Sequence, residues 1–217
     1  MGERYAKASR PAGVCERFDA AIVPAANEFP MSAVIRSPRL DLVLLCPELM
    51  DALIAGDKKA AQMFSQAHLP EGAFPVKPED LDFFRMRRDQ VRNDATWAPW
   101  SLRAVVLRDA DIVIGTANFH GPPGVNDTST PGAAEVGYEI LPPYRRAGYG
   151  TEVALSMLTW ASRLHGITHF IAGVAPDNIP SLRINEKIGF VPTGEVVDGE
   201  LIFELRLGYH EDLWARG

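Results

Sequence analysis

The stretch Glu135 to Gly150, EVGYEILPPYRRAGYG, constrains this chain more than any other. A strand-like run ends at Leu141 and a Pro-led turn follows. Arg145, Gly148 and Gly150 then stand at the spacing Arg-x-x-Gly-x-Gly before an amphipathic helix. Glycines let a backbone approach a ligand closely. The first N–H groups of a helix have no internal partner, and the helix dipole favours an anion there. Strand, glycine loop and helix in this order predict an α/β unit that binds a phosphorylated cofactor at a helix N-terminus.

The flanking sequence extends the same pattern. Arg39 to Leu45 reads as a strand, and Pro47 opens a helix, PELMDALIAGD, closed by Gly56. A second helical region covers Lys58 to about His68, and a third, PEDLDFFRMRRDQVRND, has acids in its first turn. Residues 101–108 and 112–119 form a predicted hairpin across DAD, and GPPGVNDTSTPG at 121–132 is a loop by composition. After the strand Glu135 to Leu141 comes a helix from about Gly150 to His165. Its apolar face is Val153, Ala154, Met157, Leu158, Ala161 and Leu164. The strand HFIAGVA, a helix capped near Asn178 and ended near Gly189, and two strands flanking Asp198-Gly199 complete the order. The expected fold is a single α/β (α+β) domain with a mixed sheet flanked by helices.

The chain has 217 residues, 47% of them hydrophobic and 23% charged, which suits one domain with a real core. Residues 1–30 lack periodicity and are expected to form a flexible arm, with Met31 a candidate native start, a domain over 31–210 and a tail at 211–217. No apolar run is long enough to span a bilayer, and the N-terminus lacks the apolar core of a signal peptide, so a cytoplasmic protein without membrane partners is expected. A net charge of −6 without Lys/Arg runs argues against nucleic acid as a partner. Cys15 and Cys46 make no metal or disulfide pattern. Cys46 reads as a packing residue. His68, His120, His165, His169 and His210 show no ligand spacing, with Gly166 expected to end a helix between His165 and His169, so no metal site is read.

Three cofactor classes compete for the loop. A triphosphate-binding P-loop needs a Lys after its last glycine, and this loop has none. A Rossmann loop needs a third glycine where Val153 stands, and an acid about 20 residues on, which HFIAGVA does not supply. The third class is coenzyme A. Three pieces, EVGYEILPPYRRAGYGTE, FIAGVAPDN and NIPSLRINEKIGF, together resemble the GNAT N-acetyltransferases, specifically their RimJ/RimL-like branch, over about residues 34–207.

The resemblance implies that acetyl-CoA is the cosubstrate. The strand end Ile140–Leu141 would border the pantetheine arm. Arg145, Arg146, Ala147, Gly148, Tyr149, Gly150 and Thr151 would hold the pyrophosphate, and Asn178 and Ser181 would cover the other side. It also implies a base. An amine arrives protonated at neutral pH, and Glu135 stands where some members carry a catalytic Glu. Glu139, on the same strand face, is a rival, and so is His120. Ser181 would protonate the departing thiolate; many members use a Tyr where this chain has Asn185. Backbone N–H groups near Glu139 to Leu141 would stabilise the oxyanion.

Plainer roles stand beside these: Asn178 and Ser181 as helix caps, Arg183 and Lys187 on a solvated face, and Tyr138 and Phe190 in the core. Phe83, Phe84, Met86, Trp97 and Trp100 are candidates for an acceptor wall. The expected function is transfer of an acetyl group to a primary amine, of a protein N-terminus or a small molecule, by a monomer or homodimer. The alternative is a non-catalytic acyl-CoA-binding or sensing module of the same fold.

Overall fold

In the computed structural model, which describes residues 34–65, 67–73, 78–208 and 212–216, the apolar runs on either side of Ser37 pair as a hairpin, β1 (Val34–Arg36) and β2 (Leu40–Leu44). The N-terminal arm, Met31, Cys15 and His210 lie outside the described residues. Three helices follow: α1 (Pro47–Ile54), α2 (Lys58–Ser65) and α3 (Pro78–Asn93). Pro47 begins α1 with its fixed φ, and Gly56, at φ +65°, turns the chain out of it. Helix α2 stops at Ser65, short of the expected His68. Gln62 donates to the Ala67 carbonyl and accepts from the Leu69 N–H, and the Ser65 hydroxyl also takes the Ala67 carbonyl. These side chains turn the backbone outward, and His68 pairs with Ile112 as an isolated bridge.

The hairpin β3 (Arg103–Leu107) and β4 (Ile112–Phe119) leads to β5 (Ala134–Ile140), α4 (Tyr149–His165), β6 (His169–Val174), α5 (Ile179–Ile188), β7 (Val191–Val197) and β8 (Glu200–Arg206). One sheet has the order β1-β2-β3-β4-β5-β6-β8-β7. Every neighbouring pair is antiparallel except β5 and β6. These two parallel strands pair only at Ala134↔Phe170 and Glu135↔Ile171 and then part. The gap that opens beyond Glu135 is the feature on which the site depends.

The period of two along β3 divides the core. Val105 faces the cluster built around α4, while Ala104 and Val106 face the cluster of α1, α2 and α3. Helix α4 is buried over a wider arc than a single stripe. Val153, Ala154, Met157, Leu158 and Ala161 are inside as expected, and so are Leu155 and Trp160. Leu164, expected on the apolar face, is 54% exposed. The last turn of α4 instead presents Trp160 and His165 to Trp100, with ring centroids 5.4 and 4.8 Å from it. Gly166 ends the helix at φ +69°. At the C-terminus Leu213 is buried in the main cluster, and Arg216 donates to the Ile188 carbonyl at the end of α5.

Candidate functional site

The glycine loop is shaped by three backbone turns. Beyond β5 a short 3-10 turn covers Pro142–Tyr144, Arg146 takes φ +67°, and Gly148 takes φ +80° immediately before α4. A left-handed residue costs a side-chain-bearing amino acid about 1–2 kcal/mol, so glycine belongs at 148. No side chain caps α4, which leaves the first N–H groups of the helix facing outward at Tyr149, Gly150 and Thr151. At Gly150 a Cβ would meet Ile184 at 3.0 Å and the Tyr138 ring at 3.4 Å, so its absence lets β5, α4 and α5 close together.

Among the loop arginines, Arg145 is directed at the strand it leaves. Its Nε donates to the Ile140 carbonyl at 2.6 Å and its Nη2 to Glu139 at 3.3 Å. Arg146 and Ala147 are exposed.

A second set of residues holds the loop from below. Glu152, buried in the first turn of α4, accepts from the Ser37 hydroxyl, from the Arg39 N–H at 2.8 Å and from Arg39 Nε at 2.7 Å. Burial pushes the Glu152 carboxyl up, but these donors outweigh it and hold it below its usual range. Arg39 also donates to the Ala147 carbonyl at 3.0 Å, and its guanidinium lies 4.4 Å from the centre of the Tyr149 ring. Neither Arg39 nor Glu152 was read from the sequence as a site residue. The only signal in the sequence was an acid in the first turn of a helix; its Arg partner lies 113 residues away.

The other end of the gap carries titratable groups. Glu135 is fully buried on β5. Its Oε2 accepts the Asp127 N–H at 2.7 Å and stands 3.4 Å from His120 Nδ1. Its Oε1 lies against Gly173, where a Cβ would sit 3.5 Å from it and 2.5 Å from a Glu200 oxygen. Burial pushes the Glu135 carboxyl up; the charge of His120 and the Asp127 N–H pull the other way without cancelling it. His120 Nδ1 is 3.1 Å from Asp127 Oδ1. The three side chains place their ligand-type atoms within 4.8 Å of one another. Glu139 is exposed and paired with Arg145, far from this cluster in character.

The loop 121–132, read from composition only as a connector, is built. Asn126 accepts from the Thr130 N–H at 2.8 Å and donates to the Thr130 and Ala133 carbonyls at 2.8 and 3.2 Å. Gly124 donates to the Ala133 carbonyl. These bonds fix Asp127 against Glu135 and His120.

The ladder decides which backbone groups face the gap. His120 donates to the Glu135 carbonyl, and the Leu141 N–H donates to the Ile114 carbonyl at 2.8 Å. The expected oxyanion donor at Leu141 is therefore already used. By the alternation of an antiparallel pair, Val136, Tyr138 and Ile140 turn their backbone groups away from β4 and into the gap.

Across the gap, Asn178 caps α5 by accepting the Ser181 N–H at 3.3 Å. Ser181 is half-buried, and Arg183 and Lys187 are exposed. Tyr138 packs against the main core with its hydroxyl buried toward Ser181, and burial pushes that phenol up to about 12. Asn185 is buried, its carbonyl taking the N–H groups of Gly189 and Phe190. The expected acceptor wall is only partly there: Phe84 and Trp100 are core residues at 8% and 6% exposure. Trp100 packs on Phe119 and Trp160 because the segment before β3 dives under α4. Trp97 reaches Gly121 at the base of the 121–132 loop. Buried Arg87 donates to the His120 carbonyl at 2.8 Å, its guanidinium lowered to about 10 by desolvation.

A family model described as an acetyltransferase (GNAT) domain matches residues 39–191. An uncharacterized N-acetyltransferase of Bacillus subtilis, YjdG, is 27% identical over 164 residues, covering 73% of this chain and 89% of that protein. A second B. subtilis relative, YnaD, also described as an uncharacterized N-acetyltransferase, is 34% identical over 122 residues, covering 56% of this chain and 63% of the relative. Among solved structures, a RimL ribosomal-protein acetyltransferase in complex with coenzyme A has a TM-score of 0.53 at 15% identity, over 80% of this chain and 98% of that one, a likeness of fold.

Proposed function

The chain belongs to the GNAT acetyltransferase family, and from that premise we propose that its acceptor is a primary amine, the α-amine of a protein N-terminus or the amine of a small molecule. The protein is an acyl-CoA-dependent N-acetyltransferase that uses acetyl-CoA. One observation carries the reading of its site. The gap between β5 and β6 has the uncapped N-terminus of α4 at one end and a buried carboxyl with an imidazole at the other.

The residues fit the cosubstrate. Gly148, in left-handed backbone, turns the chain into α4, whose uncapped first N–H groups would meet the pyrophosphate, and Val136, Tyr138 and the Ile140 N–H offer backbone groups to an extended chain laid along β5. Asn178 and Ser181 lie on the facing side. When bound, acetyl-CoA supplies an activated acyl carbon and a thiolate leaving group. The work left to the chain is to orient the amine and remove its proton. Glu135 and His120 serve there as the base pair, with His120 standing between the buried Glu135 carboxyl and the opening. Glu139 is set aside by its exposure and its bond to Arg145. Ser181, beside the buried Tyr138 hydroxyl, is the group assigned to the departing sulfur.

The solved RimL relative is described as a ribosomal-protein acetyltransferase, which supports including N-terminal peptides among the acceptors tested. The test is free-thiol release from acetyl-CoA with a panel of N-terminal peptides, amino acids and polyamines. At least one primary amine is expected to be turned over, with Glu135→Gln lowering kcat/KM about 100-fold or more and leaving the KM for acetyl-CoA unchanged. Thiol release that no amine accelerates would overturn the reading.

A further inference from the structure

We infer that Asp127, carried on the loop between β4 and β5, holds His120 as its Nδ1–H tautomer and thereby makes Nε2 the atom that takes the proton of the incoming amine. The inference rests on the amine-acetylation reading above and names how that site works.

His120 Nδ1 has a carboxylate oxygen on each side, Asp127 Oδ1 at 3.1 Å and Glu135 Oε2 at 3.4 Å. Two acceptors around one ring nitrogen require that nitrogen to carry the hydrogen. The other nitrogen is then a lone-pair acceptor. Glu135 cannot easily play that part itself. It is fully buried, one oxygen already takes the Asp127 N–H, and the other is turned toward Gly173 and Glu200. His120 is 33% exposed in its side chain and stands between Glu135 and the opening.

Nε2 lies over a glycine. Gly137 pairs with Asn118 across the β4–β5 ladder, and a Cβ on Gly137 would lie 3.7 Å from His120 Nε2 and 3.4 Å from Asn118 Oδ1. Asn118 Nδ2 is engaged with the Phe119 carbonyl at 3.0 Å, which turns its oxygen toward Gly137. Two acceptors thus converge over a residue with no side chain, the arrangement an ammonium requires. The groups around the imidazole are Asp127 and Glu135 at Nδ1 and the buried Arg87 on its backbone carbonyl; Glu200 faces Glu135 from β8.

The proton balance is simple. The ammonium N–H bond breaks and an Nε2–H bond forms, freeing the nitrogen lone pair. The resulting imidazolium lies between two carboxylates, as in a histidine oriented by an acid at its far nitrogen. His120 then returns that proton to solvent at its exposed edge, and the second proton lost by the nitrogen goes to the departing thiolate. Asp127 touches no reactant, so it is a positioning residue.

The test joins a spectroscopic readout to kinetics. Full-length protein labelled with 15N-histidine is observed by long-range 1H–15N correlation, without cosubstrate, at a pH where the ring is neutral. Wild type is expected to show His120 as the Nδ1–H tautomer, and Asp127→Ala a mixture. Asp127→Asn, which keeps an oxygen acceptor, should restore the wild-type pattern. With an accepted amine, Asp127→Ala should lower kcat 10- to 100-fold with the KM for acetyl-CoA unchanged, and Asp127→Asn should recover part of it. Gly137→Ala, whose new methyl makes only ordinary contacts, should raise the KM for the amine. An Nε2–H tautomer in wild type overturns the inference, as does Asp127→Ala with unaltered tautomer and kcat; amine turnover in either case leaves the broader reading intact. The Nδ1–H tautomer with no turnover of any amine overturns the broader reading and the proton transfer with it.

Discussion

Glu135 and Glu152 are both buried acids, and their surroundings drive them in opposite directions. Glu152 receives a hydroxyl, a backbone N–H and a guanidinium, so its folded carboxyl lies below the unfolded value of 4.5. Its stabilisation is present above that value and is lost as the pH falls through the folded one. Glu152→Ala should cost about 3 kcal/mol at neutral pH, by loss of charge-assisted bonds, and lower Tm by roughly 10 °C at this chain length. Glu152→Gln should flatten the acid limb of Tm against pH; an unchanged limb would show that the Arg39 clamp carries no folding energy. For Glu135 the sign reverses. Burial raises its folded carboxyl above 4.5, so ionisation weighs against the fold as the pH rises through the folded value. Glu135→Gln should therefore raise Tm at pH 7.5 and leave it unchanged near pH 4, while activity falls. At this scale the sequence offers candidates where a motif names the residue, as with Glu135, Gly148 and Asn178. It was silent on Asp127, Asn118 and Arg39, whose partners lie 8, 19 and 113 positions away. Only the folded ladder makes them neighbours.

The elements were easier to read, because periodicity and turn chemistry are local. Gly56, Gly166 and Gly189 end their helices in left-handed backbone, as expected from their places after periodic runs. Failures came where tertiary contact overrode the pattern. Leu164 fits the apolar stripe of α4 yet is exposed, because the aromatic cluster of Trp100, Phe119 and Trp160 claims the last turn. The α2 end shifted because Gln62 and Ser65 bond the backbone beyond it. Two predictions belong here. Gly148→Ala forces a left-handed alanine and should cost about 1–2 kcal/mol, read by denaturant unfolding, with weaker acetyl-CoA binding beside it. Phe119→Ala, at 0% exposure in the aromatic cluster, should cost about 3–5 kcal/mol without altering the loop. Equal loss of binding in both would mean that binding follows global stability rather than the loop.

For the whole molecule, topology turns these parts into an enzyme. Among the described strands six of the seven pairings are antiparallel, and the one parallel pair, which holds for two residues and then parts, creates a slot inside a continuous sheet. The helix after β5 closes one end of the slot with free N–H groups, and the loop before β5 furnishes the other with Asp127. That order was legible from the sequence because strand, loop and helix are contiguous, whereas the parting of β5 from β6 is a relation between strands 36 residues apart in the register and was not. No helix among the described residues is long and apolar enough to cross a membrane. The most direct measurement is calorimetric titration of acetyl-CoA into wild type and Gly148→Glu, with thermal unfolding of the same samples. The account predicts one saturable site in wild type. Ligand at about 100 times Kd adds roughly 2.7 kcal/mol, a rise in Tm of several degrees, and both the heat and the rise should vanish in a folded Gly148→Glu. Folded wild type that shows neither heat nor a Tm rise with millimolar acetyl-CoA would contradict the account at its centre.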